Sequence, residues 1–252
     1  MHALRFENKT VVVTGAGSGM GCSASLRLAS EGAKVILLGR QAGALEEVSD
    51  KIKRMGGVSY VLPCDIKKEN QVKETFIKVS SISRHVDALF ANAGSLGAFK
   101  PLAEADISDF SEPLETNLKG TFLTIQHCLP LINKGAILIN ASWTTGSVMP
   151  GTGIYAATKS ALLALMRTLA VECGPRGVRV NAISPGVILT PMAASALPAE
   201  TVNTLASHAL LRRNGVPDDI AGTVAWLLSE DAGYVTGQEI VVDGGFTIGG
   251  MR

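Results

Sequence analysis

Three side chains in the second half of the chain have the types and spacing for proton transfer to an oxygen. Tyr155 is the one tyrosine of three followed four residues later by a lysine, Lys159, and at that spacing both side chains lie on one face of a helix. A free phenol ionises near ~10, and an ammonium beside it favours the phenolate, which brings the group toward a useful acid/base range. Before Tyr155, Ser142 follows the apolar run Ala136–Ala141. The carboxyl end of a strand in an open parallel sheet is where ligands bind, and a hydroxyl there can donate to a carbonyl oxygen as it gains negative charge. The trio suits hydride addition to a carbonyl, or the reverse on a secondary alcohol. Taken alone, Tyr-x-x-x-Lys arises by chance in many chains, and Ser142 with Thr144 also suits a plain turn cap.

Hydride chemistry needs a dinucleotide site, and the N-terminal segment has its pattern. Thr10–Thr14 runs directly into Gly15-Ala16-Gly17-Ser18-Gly19-Met20-Gly21, and a helical pattern of Ser23, Leu26, Leu28 and Ala29 follows. Glycine is required where a side chain would block a tight turn and the approach of a pyrophosphate to a helix N-terminus. The segment fits both the Gly-x-Gly-x-x-Gly variants and the looser spacing through Gly15, Gly19 and Gly21. Its place between a strand and a helix, more than the glycines themselves, distinguishes it from a structural turn. The second strand ends Leu37-Leu38-Gly39-Arg40, with no acid between Lys34 and Glu46. An acid at that strand end reads the ribose hydroxyl of NAD, whereas a guanidinium pairs with the 2′-phosphate of NADP in a forked geometry. NADP(H) is therefore expected, with NAD(H) as the alternative if Arg40 is only a solvated helix-start residue.

These groups must be positioned by an alternation of strands and helices. Apolar, β-rich runs at Thr10–Thr14, Lys34–Leu38, Val58–Leu62, Val86–Ala91, Ala136–Ala141, Val178–Ser184 and Glu239–Val242 read as strands. Helices are expected from about Gly19, Ala42 and Lys67, and over Ile107–Leu131 and Tyr155–Cys173. The pattern implies an α/β Rossmann fold, a doubly wound parallel sheet of about seven strands with helices on both faces. Residues 1–252 are read as one domain, both dinucleotide-binding and catalytic. The helix with Ala157, Ala161, Leu162, Leu165, Met166, Leu169, Ala170 and Cys173 is apolar around more than one stripe, because Leu163 and Ala164 fall between the others. Such a helix wants cover on two sides, either from an intrachain neighbour or from a second subunit, and a homo-oligomer is expected.

A formal net charge of +1 with dispersed Lys and Arg lacks the electrostatic footprint of a nucleic-acid binder. Apolar stretches are interrupted by polar residues or Gly before the ~20 residues of a membrane span, so no membrane role is expected. Arg5, Glu7 and Lys9 near the start do not suit a secretory signal, and a cytoplasmic location is expected. Cys22, Cys64, Cys128 and Cys173 are too widely spaced for a zinc site or disulfide framework and read as small core residues. No chemistry is assigned to His2, His85, His127 or His208.

Taken in order, the motifs resemble those of the short-chain dehydrogenase/reductase family over almost the whole chain. They are the run Thr14–Gly21; Asp65 after the third strand; Ala91-Asn92-Ala93-Gly94; Asn117-Leu118-Lys119-Gly120; Ser142; Tyr155-Ala156-Ala157-Thr158-Lys159; Asn181-Ala182-Ile183-Ser184-Pro185-Gly186; and Val242-Asp243-Gly244-Gly245. The resemblance implies that Tyr155 is the general acid/base, that Ser142 positions the substrate oxygen, and that Asn117 holds a water in the proton relay. It further implies that Lys159 holds the nicotinamide ribose and keeps the Tyr155 phenol acidic. Gly15, Ser18, Gly19 and Met20 match the family's pyrophosphate turn, Asp65 and Ile66 its adenine contacts, and Asn92 and Gly94 its cofactor groove. Pro185, Gly186, Ile188 and Thr190 match positions near the nicotinamide and pyrophosphate. A homotetramer is the assembly the resemblance implies. Met20 departs from the family's usual Ile, Ala91 from its usual Asn, and Ser18 from the basic residue of some NADP-preferring relatives, which leaves phosphate recognition mainly to Arg40.

Residues 190–213 resemble the family's variable substrate lid, with Met192, Ala193, Ala194, Ala196, Leu197 and Leu205 forming an apolar cover opposite Leu96, Thr144, Val148 and Met149. The expected substrate is a small molecule, a hydrophobic ketone or β-oxoacyl group reduced by NADPH. Adjacent Arg212 and Arg213 are the candidates for a basic patch that a carrier-borne substrate would use. The alternatives are an NAD-dependent secondary alcohol dehydrogenase and, from another class, a non-catalytic nicotinamide-nucleotide sensor.

Overall fold

Strands that are buried on both faces must be apolar at every position, and Val11-Val12-Val13 meets that demand with no exposed surface. The computed structural model describes residues 4–196 and 198–249. Its strands are β1 (Thr10–Thr14), β2 (Lys34–Gly39), β3 (Val58–Pro63), β4 (Ala88–Ala91), β5 (Gly135–Asn140), β6 (Val178–Pro185) and β7 (Glu239–Val242). They form one sheet in the order β3-β2-β1-β4-β5-β6-β7, with every pair parallel. This is the expected doubly wound Rossmann sheet. Successive side chains of β1 alternate between two cores: Val12 packs toward α3 (Glu69–Ile82), α5 (Gly120–Cys128) and α6 (Gly153–Cys173). Val11 and Val13 pack toward α1 (Gly19–Ser30), α2 (Ala42–Arg54) and α9 (Pro217–Leu228).

Strand order reverses between β1 and β4, and that is where a crevice opens at the carboxyl edge of such a sheet. Thr14 ties the two strand ends together: its Oγ1 accepts from the N–H groups of Asn92 (2.9 Å) and Ala93 (3.0 Å), and its carbonyl accepts from Asn92 Nδ2 at 2.9 Å. The register sets Asn140 of β5 beside Ile183 of β6, so the ends of β1, β4, β5 and β6 share one edge.

The single helix expected over Ile107–Leu131 is broken. A capping box between Asp106 and Asp109 starts α4 (Ile107–Pro113), and the backbone then widens into a π turn over Leu114–Lys119 before α5 begins. Pro113 lacks the N–H that an α-helix interior requires, which accounts for the break. The ring is used instead as a wedge: a Cβ on Gly97, whose φ is +65°, would lie 2.4 Å from Pro113 Cγ. The loop after β4 thus packs on the break, and Asn117 sits on the π turn.

Helices α7 (Pro191–Ala196) and α8 (Ala199–His208) lie between two anchored ends, since Leu189 N–H donates to Gly215 O (2.8 Å) and Gly215 N–H to Val187 O (2.9 Å). Leu197 falls outside the described residues, as does the side chain of Ala196. Helix α6 and the turn after it (153–176) are long and apolar enough to cross a bilayer, with a hydropathy of 1.3. Here α6 instead buries Leu162, Leu163, Met166, Leu169 and Cys173 against the sheet. Ala157, Ala164, Thr168 and Val171 remain exposed on its other flank.

Gly21 is the tightest point of the first turn, because a Cβ there would stand 2.2 Å from Gly15 O and 2.7 Å from Asn92 Nδ2. Gly21→Ala is expected to destabilise the protein by roughly 1–3 kcal/mol in urea unfolding. Gly43→Ala in α2, where nothing lies within 4 Å, should be neutral or stabilising by about 0.5 kcal/mol. Equal effects at the two positions would refute the close-packing account.

Candidate active site

A cleft of about 380 Å³ runs along the carboxyl edge of the sheet. Gly15 (φ +65°) and Gly19 (φ +52°) adopt left-handed backbone in the turn that starts it. Ser18 precedes α1 with its side chain making no capping bond, and no acid stands in the first turn of that helix. The first N–H groups therefore face the cleft without an internal acceptor, as an anion-binding helix N-terminus requires. Gly15, Ser18, Gly19 and Met20 all line the cleft there. Thr190 closes over the turn, since a Cβ on Gly19 would touch Thr190 Cγ2 at 3.1 Å.

At one end the wall is formed by Gly39, Arg40, Asp65 and Ile66, and also by Gln41, Ala44 and Lys67, which the sequence patterns did not single out. Arg40 is exposed and has no hydrogen-bond or ion-pair partner among the described residues. Asp65 is oriented by its neighbours: its N–H donates to Gln71 Oε1 (2.9 Å), and its Oδ1 accepts from Lys67 N–H (3.1 Å).

In the middle, Asn92 and Gly94 line one side and Pro185, Gly186 and Ile188 the other. Ser142, Tyr155 and Lys159 line the cleft between them. Lys159 is only 3% exposed; its Nζ donates to the carbonyl of Asn140 at 2.6 Å and lies 5.7 Å from the centre of the Tyr155 ring. Burial lowers the Lys159 ammonium from 10.5 to about 8. Withdrawal from water pushes the Tyr155 phenol up to about 12, outweighing the opposing influence of the neighbouring Ser142 hydroxyl. The ring stays half-buried with a side open to the cleft, so a ligand there changes its surroundings. The sequence-based expectation that Lys159 holds the phenol acidic is thus not met in the protein alone. Ser142 makes the turn-cap bond weighed for it, its Oγ accepting from Thr144 N–H at 3.2 Å, and its side chain lines the cleft.

Asn117 is fully buried behind the cleft rather than on its wall. Its Oδ1 accepts from Ser95 N–H at 2.7 Å, while its Nδ2 donates to Ser95 O (2.9 Å) and Thr158 Oγ1 (3.0 Å). The side-chain amide clamps the β4 loop onto α6 through these three bonds. Asn140 was missed by sequence reasoning although it ends β5 beside Ser142. Its Nδ2 donates to Asn92 Oδ1 at 3.0 Å, and its buried Oδ1 has no partner among the described residues.

Leu96, Thr144, Met149, Met192, Ala193 and Leu205 line the far end as expected, joined by Phe99, Trp143 and Thr152. Val148 does not: it is 91% exposed and points away, because an irregular loop has no periodicity from which to read a side chain's direction. Ala194 is likewise exposed. Arg213 forms a two-bond ion pair with Asp219 (2.6 and 2.7 Å) and Arg212 donates to Ser207 O (2.6 Å), so both have local partners.

Known proteins resemble this chain over nearly its whole length. The family profile described as enoyl-(acyl carrier protein) reductase matches residues 15–247. Glucose 1-dehydrogenase of Gluconobacter oxydans is 36% identical over 252 residues, covering 98% of this chain and 94% of that protein. The 3-oxoacyl-[acyl-carrier-protein] reductase of Staphylococcus epidermidis is 37% identical over 244 residues, covering 94% and 98%. A solved 7α-hydroxysteroid dehydrogenase, complexed with NADH and 7-oxo glycochenodeoxycholic acid, superposes with a TM-score of 0.92 at 33% identity, covering 96% and 95%. With its parallel seven-stranded sheet and matches of this extent, the chain belongs to the short-chain dehydrogenase/reductase family of NAD(P)-dependent oxidoreductases.

Proposed function

We propose that the protein reduces a hydrophobic ketone to a secondary alcohol with NADPH, using Tyr155 as the proton donor. The observation that carries this is the convergence of the Tyr155 phenol, the Ser142 hydroxyl and the Lys159 ammonium beside an uncapped helix N-terminus. The bare turn around Gly15 and Gly21, which a Cβ would fill, fits a pyrophosphate. Gly15, Ser18, Gly19 and Met20 would hold that group, Asp65 and Ile66 the adenine, and Arg40 the 2′-phosphate. Asn92, Gly94, Pro185, Gly186, Ile188 and Thr190 would hold the nicotinamide half, with Lys159 at its ribose. When bound, the nicotinamide supplies the hydride that the carbonyl carbon accepts.

The chain's own residues handle the oxygen. Ser142 donates to it as charge develops, and Tyr155 transfers the proton that completes the alcohol. A phenol pushed up to about 12 carries that proton at neutral pH, the form a reductase requires. Lys159, at about 8, is mostly protonated there and keeps a cation near the ring. Asn117 acts through the β4 loop and α6 that it clamps together. The apolar end with Phe99, Trp143, Met149 and Leu205 suits a hydrophobic carbonyl compound. With Arg213 paired to Asp219, a free ketone is favoured over a β-oxoacyl group carried on an acidic protein.

Tyr155→Phe should lower kcat by about 10²-fold or more while leaving NADPH affinity nearly unchanged; normal turnover by that variant, with any ketone the wild type reduces, ends the proposal. Gly39 and Arg40 leave the second strand without an acid, so Arg40→Asp should raise KM for NADPH far more than for NADH. An equal rise for both would count against NADP(H) and return the NAD-dependent alcohol dehydrogenase to first place. The depressed Lys159 value also predicts a stability signature. The folded chain releases this proton at about 8 and the unfolded chain near 10.5, so between those values the unfolded state binds more protons and stability rises with pH. Urea midpoints should therefore show wild type gaining about 1–3 kcal/mol on Lys159→Met across that window. Parallel pH curves would disprove the buried cation.

A further inference from the structure

The turn behind Ser142 controls where that residue's single proton can go. Thr144 N–H donates to Ser142 Oγ at 3.2 Å, and Thr144 Oγ1 lies 3.0 Å from the same oxygen. A hydroxyl has one proton to give and two lone pairs to receive. Thr144 is buried, and its Oγ1 has no other hydrogen-bond partner among the described residues, so its proton is available to Ser142. When Thr144 fills both acceptor positions of Ser142, the remaining proton of Ser142 is left to point into the cleft, toward Tyr155 or a substrate oxygen. The geometry points to Thr144 as a positioning residue that makes Ser142 a committed donor to the reacting oxygen. This rests on the roles proposed above for Ser142 and Tyr155.

Two hydrogen-bond orders are open to the trio. In the empty site Tyr155 can donate to Ser142 and Ser142 to Thr144. Once Tyr155 and Ser142 both turn to a carbonyl oxygen, Thr144 must donate instead. The exchange rotates three hydroxyl protons and moves no heavy atom. The turn itself is braced from behind: Thr145 Oγ1 lies 2.7 Å from Ser142 O and 2.8 Å from Glu239 Oε1, and Ser184 Oγ donates to the same carboxylate oxygen at 2.5 Å. Thr144 therefore works from a turn pinned to β6 and β7, and a substitution there changes hydrogen bonding more than backbone position.

The test compares Thr144→Val, which removes the hydroxyl but keeps the shape and the backbone N–H, with Thr144→Ser, which keeps a hydroxyl. Thr144→Val should lower kcat for ketone reduction by about three- to tenfold, with KM for NADPH unchanged. In the alcohol-oxidising direction, the limb of the pH profile belonging to Tyr155 should move upward by up to about one pH unit, because Ser142 supports the phenolate less well. Among the described residues, Lys159 beside the ring, Glu239 behind the turn and Glu112 on the cleft wall are ionisable groups near this cluster, and all are unchanged in the variants. Thr144→Ser should restore most of the rate and the profile. If Thr144→Val retains the wild-type kcat and profile, the inference is wrong. A lower melting temperature with kcat and profile unmoved would reduce Thr144 to packing and overturn it equally. Should Thr144→Val fail to fold, Thr144→Ala carries the same comparison. Retained turnover by Tyr155→Phe would instead remove the underlying mechanism, whatever the Thr144 variants do.

Discussion

A charged amine held out of water is the constraint on which the centre of this molecule turns. Among the described residues, Lys159 has one hydrogen bond from its ammonium, to the Asn140 carbonyl, and almost no exposed surface. Removing a cation from water costs free energy unless its remaining donors find acceptors or the proton leaves. The protein tolerates that cost where the helix bearing Lys159 is packed along β6 and the strand supplying the carbonyl ends at the cleft. A ligand offering hydroxyl or other acceptor oxygens beside Lys159 would relieve it, which couples ligand binding to the charge that flanks Tyr155.

Around this cation, segments distant in the chain are joined by polar side chains that do not line the cleft. Asn117 links the loop after β4 to α6, and it can do so because Pro113 interrupts the helix and the π turn carries the amide into the interior. Glu239, at the start of the last strand, braces the turn that bears Ser142 through Thr145. Thr14 spans β1 and β4 where the strand order reverses. Each link is a buried or half-buried polar group with its partners in place, and losing one would leave others unsatisfied. The sheet sets the coarse positions of the cleft-lining groups, and these bonds set their orientation.

The number, order and type of the strands and the glycine turn were legible because they depend on local periodicity and on backbone freedom, which neighbouring residues determine. Tyr155 and Lys159 were legible for the same reason, since a four-residue spacing on a helix puts two side chains on one face wherever that helix lies. What only the tertiary structure decided is what depends on residues far apart in sequence. The phenol is pushed up rather than down because burial by the surrounding walls outweighs the neighbouring groups. Asn117 faces inward because a broken helix meets a glycine loop, Val148 faces solvent, and Arg213 is taken by Asp219. Phe99 reaches the cleft from irregular backbone and Trp143 from a single 3₁₀ turn, both too short or irregular to have a period to read. Local pattern thus determined which chemical groups were present and on which elements, while desolvation and long-range hydrogen bonding, properties of the assembled interior, decided their charge and direction.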